Sequence, residues 1–251
     1  MLGRLYNGSA FVRQANHETM KNMEAKKLNK TNHEQGACQH ETLVIPPFNE
    51  VFLMDCMEGM KQYPDKFFDI AIVDPPYRDS SENDANKSMR KHIKKGRLKD
   101  WKNKPGRIFF KELFRVSKNQ IIWGANNYEL PSHKGFVIWR KPTIPEKFTM
   151  SMCEMAYISE GLSTISKVVE FSPNIYNRIH PTQKPVRLYE WLLTNYANEG
   201  DKILDTHVGS GSSRIACHKM GFDFTGYEID EDYWNAQEQR FKEFKKQLTL
   251  F

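Results

Sequence analysis

The sequence has little cysteine and no paired cysteine motif. Its 251 residues include Cys38, Cys56, Cys153 and Cys217, far apart and without a CxxC spacing. That usage excludes a disulfide scaffold and reads as reduced thiols of an intracellular, cytoplasmic protein. Long apolar runs are missing too. None approaches the ~18 residues of a membrane span, and Met1 to Lys30 lacks the apolar stretch of a secretory signal, so no membrane partner is expected. Fourteen glycines and twelve prolines are too few for a collagen-like or low-complexity chain. Metal spacing is absent as well: His33, Cys38 and His40 lie close but irregularly, and no metal is expected.

What remains is ordinary globular material, 39% hydrophobic, 27% charged and 12% aromatic. A chain of this length suits one domain with insertions and can bury ~70% of its unfolded surface. The net charge of +6 is concentrated. Residues 78–107 hold eleven basic and four acidic residues, which leaves the rest of the chain near neutrality. One basic segment in a neutral protein points to a polyanion, although a solvated loop would have the same composition.

Along the chain, residues 1–46 are polar and aperiodic and read as a flexible tail or appendage. Glu50 to Met54 reads as a strand. Phe67 to Val73 is an apolar run of the kind buried on both faces of a sheet, stopped by Pro75 and Pro76. The basic loop 78–107 follows. Helical spacing then covers Ile108 to Val116, with strands at Asn119–Trp123 and Phe136–Trp139. Residues 141–175 alternate short apolar pieces with Pro, Ser and Glu and resist assignment. Pro185 suits the first turn of a helix closed by Gly200. Lys202–Asp205 is a strand, Arg214–Met220 a helix capped by Gly221, and Phe222–Glu228 a strand. An amphipathic helix from about Asp230 turns Tyr233, Trp234, Phe241 and Phe244 inward. The alternation predicts an α/β sheet covered on both faces.

Two places carry chemistry. The first is a strand ending at Asp205, a turn through Gly209 and Gly211, a helix, and a strand ending in Glu228. Such a turn lets a ligand approach backbone N–H groups, and an acid at the next strand tip accepts ribose hydroxyls. Arg214 stands where a dinucleotide fingerprint wants its third glycine, and there is no GxxxxGK[ST]. A nucleoside without a pyrophosphate, such as S-adenosyl-L-methionine, suits the turn better. The second is Asp74-Pro75-Pro76-Tyr77 at a strand tip. A carboxylate, a carbonyl and an aromatic plate suit an exocyclic amine on a flat heterocycle. Each has a bland alternative, an unliganded α/β turn and a strand-ending proline turn.

Together these residues resemble the β-class amino-methyltransferases of DNA. Asp74-Pro75-Pro76-Tyr77 is similar to their DPPY motif. Asp205 to Ser213 is similar to their D-P-F-x-G-S-G-T-T motif, with Thr206 and His207 in place of Pro and Phe. His180-Pro181-Thr182-Gln183-Lys184-Pro185 resembles their H-P-T-Q-K-P segment, and Leu53 to Met60 their G-D-C-x-E-x-M/L stretch. The resemblance implies a Rossmann-like fold, a mostly parallel seven-stranded sheet with one antiparallel strand near an edge and helices on both faces. It implies methyl transfer from S-adenosyl-L-methionine to an exocyclic amine of double-stranded DNA. N6 of adenine is the expected target, in the manner of restriction–modification enzymes, with N4 of cytosine as the alternative. A protein glutamine amide and a non-catalytic DNA-binding role are further readings. The catalytic residues implied are Asp74, Pro75, Pro76 and Tyr77. Those at the cofactor are Asp55, Cys56, Asp74, Thr182, Lys184, Asp205, His207, Gly209, Ser210, Gly211, Ser212, Ser213, Glu228 and Ile229, with Thr182 and Lys184 at its methionine end. Lys87, Arg90, Lys91, Lys94, Lys95, Arg97 and Lys99 would contact DNA, and 141–175 would help recognise the target. A homodimer and a restriction endonuclease are partners this reading leaves open.

Overall fold

The computed structural model describes residues 48–77, 104–148, 151–173 and 178–248. The tail 1–46, its three metal candidates, and the seven basic residues between Lys87 and Lys99 therefore lie outside the described residues.

A single mixed sheet organises the described residues. Strand β1 (Asn49–Leu53) leads into a short helix α1 (Cys56–Met60), and β2 (Phe68–Val73) ends at the double proline. Helix α2 (Arg107–Val116) runs directly into β3 (Ser117–Trp123), and a 3-10 turn (Ala125–Asn127) precedes β4 (Phe136–Arg140). Strands β5 (Cys153–Ile158) and β6 (Lys167–Glu170) come next. Helix α3 (Val186–Tyr196), β7 (Lys202–Asp205), α4 (Ser212–Met220), β8 (Asp223–Glu228) and α5 (Glu231–Leu248) complete the order. The strands lie in the order β1-β8-β7-β2-β3-β5-β4-β6. Only β5 runs against its neighbours; every other pairing is parallel.

The β2 run is apolar throughout because it feeds both faces. Ile70 and Ile72 join a core with Leu188, Leu192 and Leu193 of α3, whereas Ala71 and Val73 join one with Phe109, Phe110 and Leu113 of α2. β3 divides likewise, Ile121 and Trp123 on one side and Ile122 on the other. That double burial is what the continuous hydrophobic pattern predicts.

The sheet has eight strands where seven were expected, and its one antiparallel strand, β5, lies near an edge as expected. Both β5 and the edge strand β6 come from 141–175, the stretch that resists assignment in the sequence. Four-residue β6 lies on the sheet edge with Val168 exposed and Val169 buried, so it carries almost no periodic signal. Pro185 occupies the N-cap of α3 rather than its first turn, and α3 ends at Tyr196, short of Gly200. Gly221 caps α4 in the left-handed conformation as expected. Among the described residues, no helix is long and apolar enough to cross a membrane.

Leu204 is fully buried at the centre of β7. Leu204→Ala should lower unfolding stability by about 2–5 kcal/mol, read as a fall in urea midpoint at unchanged slope.

Candidate active site

Four adjacent strands each deliver an acid to the same edge of the sheet. In sheet order these are Asp55 beyond β1, Glu228 closing β8, Asp205 closing β7 and Asp74 immediately after β2. β2 continues through α2 to β3 on one side, and β7 through α4 to β8 on the other. The crevice between β7 and β2 is therefore the point where strand order reverses, where open α/β sheets hold ligands. Asp205 and Asp74 flank it.

On the β7 side the turn is tied to its acids. Gly209 and Gly211 adopt φ of 51° and 73°, values that cost a residue with a Cβ roughly 1–2 kcal/mol. Gly211 is the N-cap of α4 and, lacking a side chain, offers no cap to the first helical N–H groups. Gly209 N donates to Glu228 Oε2 (2.9 Å) and Asp230 N to Oε1 (3.0 Å). Ser213 Oγ donates to Asp205 Oδ2 (2.6 Å) and His207 N to Oδ1 (3.0 Å). From α5, Arg240 Nη1 donates to Ser210 O (2.6 Å) and to Ser212 Oγ (3.0 Å), clamping the turn from behind.

Burial sets the charge of these groups. It pushes the Asp205 carboxyl up to about 7, against the Ser213 and His207 hydrogen bonds. It also raises Glu228. It pushes His207 down to about 4, so that ring is neutral at pH 7, hydrogen-bonded to Thr206 Oγ1 (2.9 Å) and edge-on to Phe109. It pushes the Cys56 thiol up to about 12, which excludes a thiolate nucleophile at neutral pH. Asp55 spends one oxygen capping α1 through Met57 N (2.8 Å). Ile229 is exposed at the rim, and Thr182 Oγ1 meets His180 Nδ1 (3.1 Å).

On the β2 side Tyr77 OH donates to Asp74 Oδ1, and the Lys184 ammonium donates to Asp74 Oδ2. Lys184, expected beside Thr182, is turned inward and almost wholly buried, while Thr182 stays exposed. Its ammonium also lies 3.0 Å from Glu154 Oε2 of β5. Tyr128 OH donates to the Pro75 carbonyl (2.8 Å) and reaches that of Pro76 (3.1 Å). The Tyr77 ring rests on Gly124: a Cβ built there would stand 2.1 Å from Tyr77 Cε1. Tyr77, Tyr128, Phe110, Phe109 and His207 form an aromatic wall from the proline turn to the glycine turn. Sequence reasoning missed Tyr128, Gly124, Glu154 and Lys141, none of which lies in a recognisable motif. Among the described residues, no cluster of His, Cys, Asp and Glu is arranged to hold a metal ion.

The donor set fits S-adenosyl-L-methionine. Asp205 is a buried acid whose two hydrogen-bond donors are both neutral, a place that favours a ligand with positive charge. Glu228 keeps lone pairs free for hydroxyls.

Gly124→Ala should drive Tyr77 off its shelf. Methyl transfer should fall about tenfold or more, while cofactor affinity measured by calorimetry stays within about threefold. Unchanged turnover would mean the Tyr77 ring needs no shelf.

Comparison with known proteins agrees with this geometry. Residues 16–239 match the sequence profile described as DNA methylase, N6/N4 type. The Type II methyltransferase M.HpaI of Haemophilus parainfluenzae is 23% identical over 229 residues, covering 74% of this chain and 72% of that protein. Among solved structures, the cytosine-N4-specific PvuII DNA methyltransferase superposes with a TM-score of 0.55 at 13% identity, over 78% of this chain and 87% of that one. A Thermus thermophilus protein in complex with S-adenosyl-L-methionine gives 0.50 at 15% identity, over 78% and 94%. At such identities the superpositions speak for the fold alone. The profile match spans the acids of β1, β2, β7 and β8 together, and on that ground the chain belongs to the N6/N4 DNA methylase family.

Proposed function

We propose that this chain methylates N6 of adenine in double-stranded DNA, with S-adenosyl-L-methionine as methyl donor. The observation that carries the reading is the juxtaposition at the switch point: two hydrogen-bond acceptors, Asp74 and the Pro75 carbonyl, beside a glycine turn backed by acids. An aspartate rather than a serine at the head of the motif favours adenine over cytosine by the family resemblance.

An aromatic amine is a poor nucleophile because its lone pair is delocalised into the ring. Asp74 and the Pro75 carbonyl accept its two N–H bonds, which draws nitrogen towards sp³ and aims the lone pair. Tyr77 offers its ring to the target base, which must leave the duplex to arrive there. Asp74 then holds the proton that nitrogen gives up. The cofactor supplies a methyl group already activated on a sulfonium. Glu228 and Asp55 serve its ribose and adenine ends, and the Asp205–Ser213 turn its methionine end. Lys87, Arg90, Lys91, Lys94, Lys95, Arg97 and Lys99 are assigned to phosphates, which position a duplex without reading it. The loops of 141–175 outside β5 and β6 are assigned to target recognition. A cytoplasmic setting and a restriction endonuclease partner go with the same reading.

Two measurements test it. Asp74→Ala should reduce methyl transfer by ~10²-fold or more with the fold intact. Mass analysis of nucleosides from treated DNA should show N6-methyladenine; N4-methylcytosine would move the target to the alternative base. Retained turnover in Asp74→Ala would remove that residue from the chemistry.

Cofactor affinity should also depend on pH. Asp205, pushed up to about 7, is partly protonated below neutrality, and a cationic ligand selects its ionised form. Affinity should therefore rise with pH through 7, by at most about tenfold per unit below it. Calorimetry at pH 6 in buffers of different ionisation enthalpy should record proton release. Asp205→Asn should bind more weakly and lose that dependence.

A further inference from the structure

Behind Asp74 lies a row of charges that the chemistry so far leaves unused. The Lys184 ammonium bridges Asp74 and Glu154, and Glu154 Oε1 in turn holds Lys141 at the end of β4. Two ammonium groups thus alternate with two carboxylates. All four side chains are largely withdrawn from water, Lys184 to 2% and the most exposed, Glu154, to 19%. Their floor is aromatic. Lys184 Nζ lies 5.4 Å from the Trp123 ring centre and Lys141 Nζ 4.8 Å from that of Trp139, with the two indoles edge to face. The Lys184 ammonium thus meets a carboxylate on each side, Asp74 ahead of it and Glu154 Oε2 behind it.

We propose that Lys184 and Glu154 are positioning residues for methyl transfer, Lys184 holding Asp74 ionised and aimed while Glu154 anchors Lys184 from behind. The inference rests on Asp74 being the acceptor of the target amine. It moves Lys184 from the methionine end of the cofactor to the reacting end of the site.

The surroundings of Asp74 make the direction explicit. Its neighbours are Tyr77 on its own turn, Lys184 before α3, Glu154 on β5, Tyr128 after the 3-10 turn, Asp205 on β7 and Tyr189 on α3. Lys184 faces His180 as well, whose ring burial keeps neutral at pH 7. Burial pushes the Asp74 carboxyl up, Lys184 is the largest influence holding it down, and Glu154 pushes it up again. Lys184 and Glu154 thus act on Asp74 with opposite sign, although they touch each other. Loss of packing alone would lower the rate evenly at every pH and could not reproduce that.

The pH profile of kcat/KM for DNA methylation reads this out, since its acidic limb reports the base of the free enzyme. Lys184→Met should move the acidic limb up by about one pH unit, a tenfold loss below the limb that recovers above it. Lys184→Arg should restore the limb. Glu154→Gln, which keeps size and shape, should move it down, and carries the test alone if Lys184→Met does not fold. Cofactor affinity by calorimetry should stay within threefold in each variant. An unmoved limb with cofactor affinity reduced tenfold would return Lys184 to the cofactor and overturn the inference. So would shifts of the same sign in Lys184→Met and Glu154→Gln. Asp74→Ala serves as the reference. If it still methylates, the acceptor role itself fails; if it is inactive while the limb of the other variants stays put, this inference alone fails.

Discussion

A carboxylate at the end of a buried strand stays charged only if something offsets its removal from water. For Asp74 that is the ammonium of Lys184. Everything that brings the two together is long-range: 110 positions separate them in the chain. β2 must end at the double proline, and the segment His180–Pro185 must turn its lysine inward while keeping Thr182 outside. The turn is made by Gln183, whose N donates to His180 O (3.2 Å) and whose Oε1 accepts from Ile179 N (3.2 Å). Pro185 then starts α3, and the apolar stripe of α3 fixes that helix on one face of the sheet. Removing one partner of a buried ion pair typically costs about 3–5 kcal/mol, so the docking of α3 and the charge state of Asp74 are coupled.

One functional group, the carboxylate, is put to different uses by environment alone. Asp74 faces an ammonium. Asp205, across the switch point, has only a hydroxyl and an amide as donors and is pushed up to about 7. Glu228 has two backbone amides and remains partly open to the crevice. Asp55 is exposed and caps a helix. These are the tip positions of four neighbouring parallel strands, so the fold supplies the acids in a row and the loops differentiate them.

The sequence was most readable where one physical cause acts locally. β2 showed as an apolar run because both its faces are covered, and its end was visible because proline cannot continue the ladder. The glycine turn and Glu228 followed from the β7-α4-β8 unit, whose parts are contiguous. β6 was hidden because a four-residue edge strand buries one face or less, and β5 because only its second half, Ala156 to Ile158, is buried, too short a run to stand out. Glu154 and Lys141 were hidden for another reason. Their role comes from contacts made across the sheet, and an ion pair between distant segments leaves no spacing to read. Lys184 was read with Thr182 because both sit in one motif, yet a single residue, Gln183, separates the exposed side chain from the buried one. Gly124 carries no motif, and two features of the fold account for its missing Cβ, a left-handed φ of 70° and the ring of Tyr77 above it.

The site is satisfied before any base arrives, and this bears on how a base could be admitted. Tyr77 hydroxyl occupies one oxygen of Asp74, and Tyr128 hydroxyl occupies the Pro75 carbonyl. Neither acceptor is thereby exhausted. A carbonyl oxygen has two lone pairs and a carboxylate about four, so each can still take an N–H without losing its tyrosine. Leaving such acceptors bare in a largely dry crevice would cost roughly 1–3 kcal/mol each. The tyrosines remove that penalty in the free protein while fixing the directions of the lone pairs that remain. The acceptors are thus held in place by the protein, and on the function proposed above the target amine would meet oriented groups whose reorganisation cost has already been met in folding.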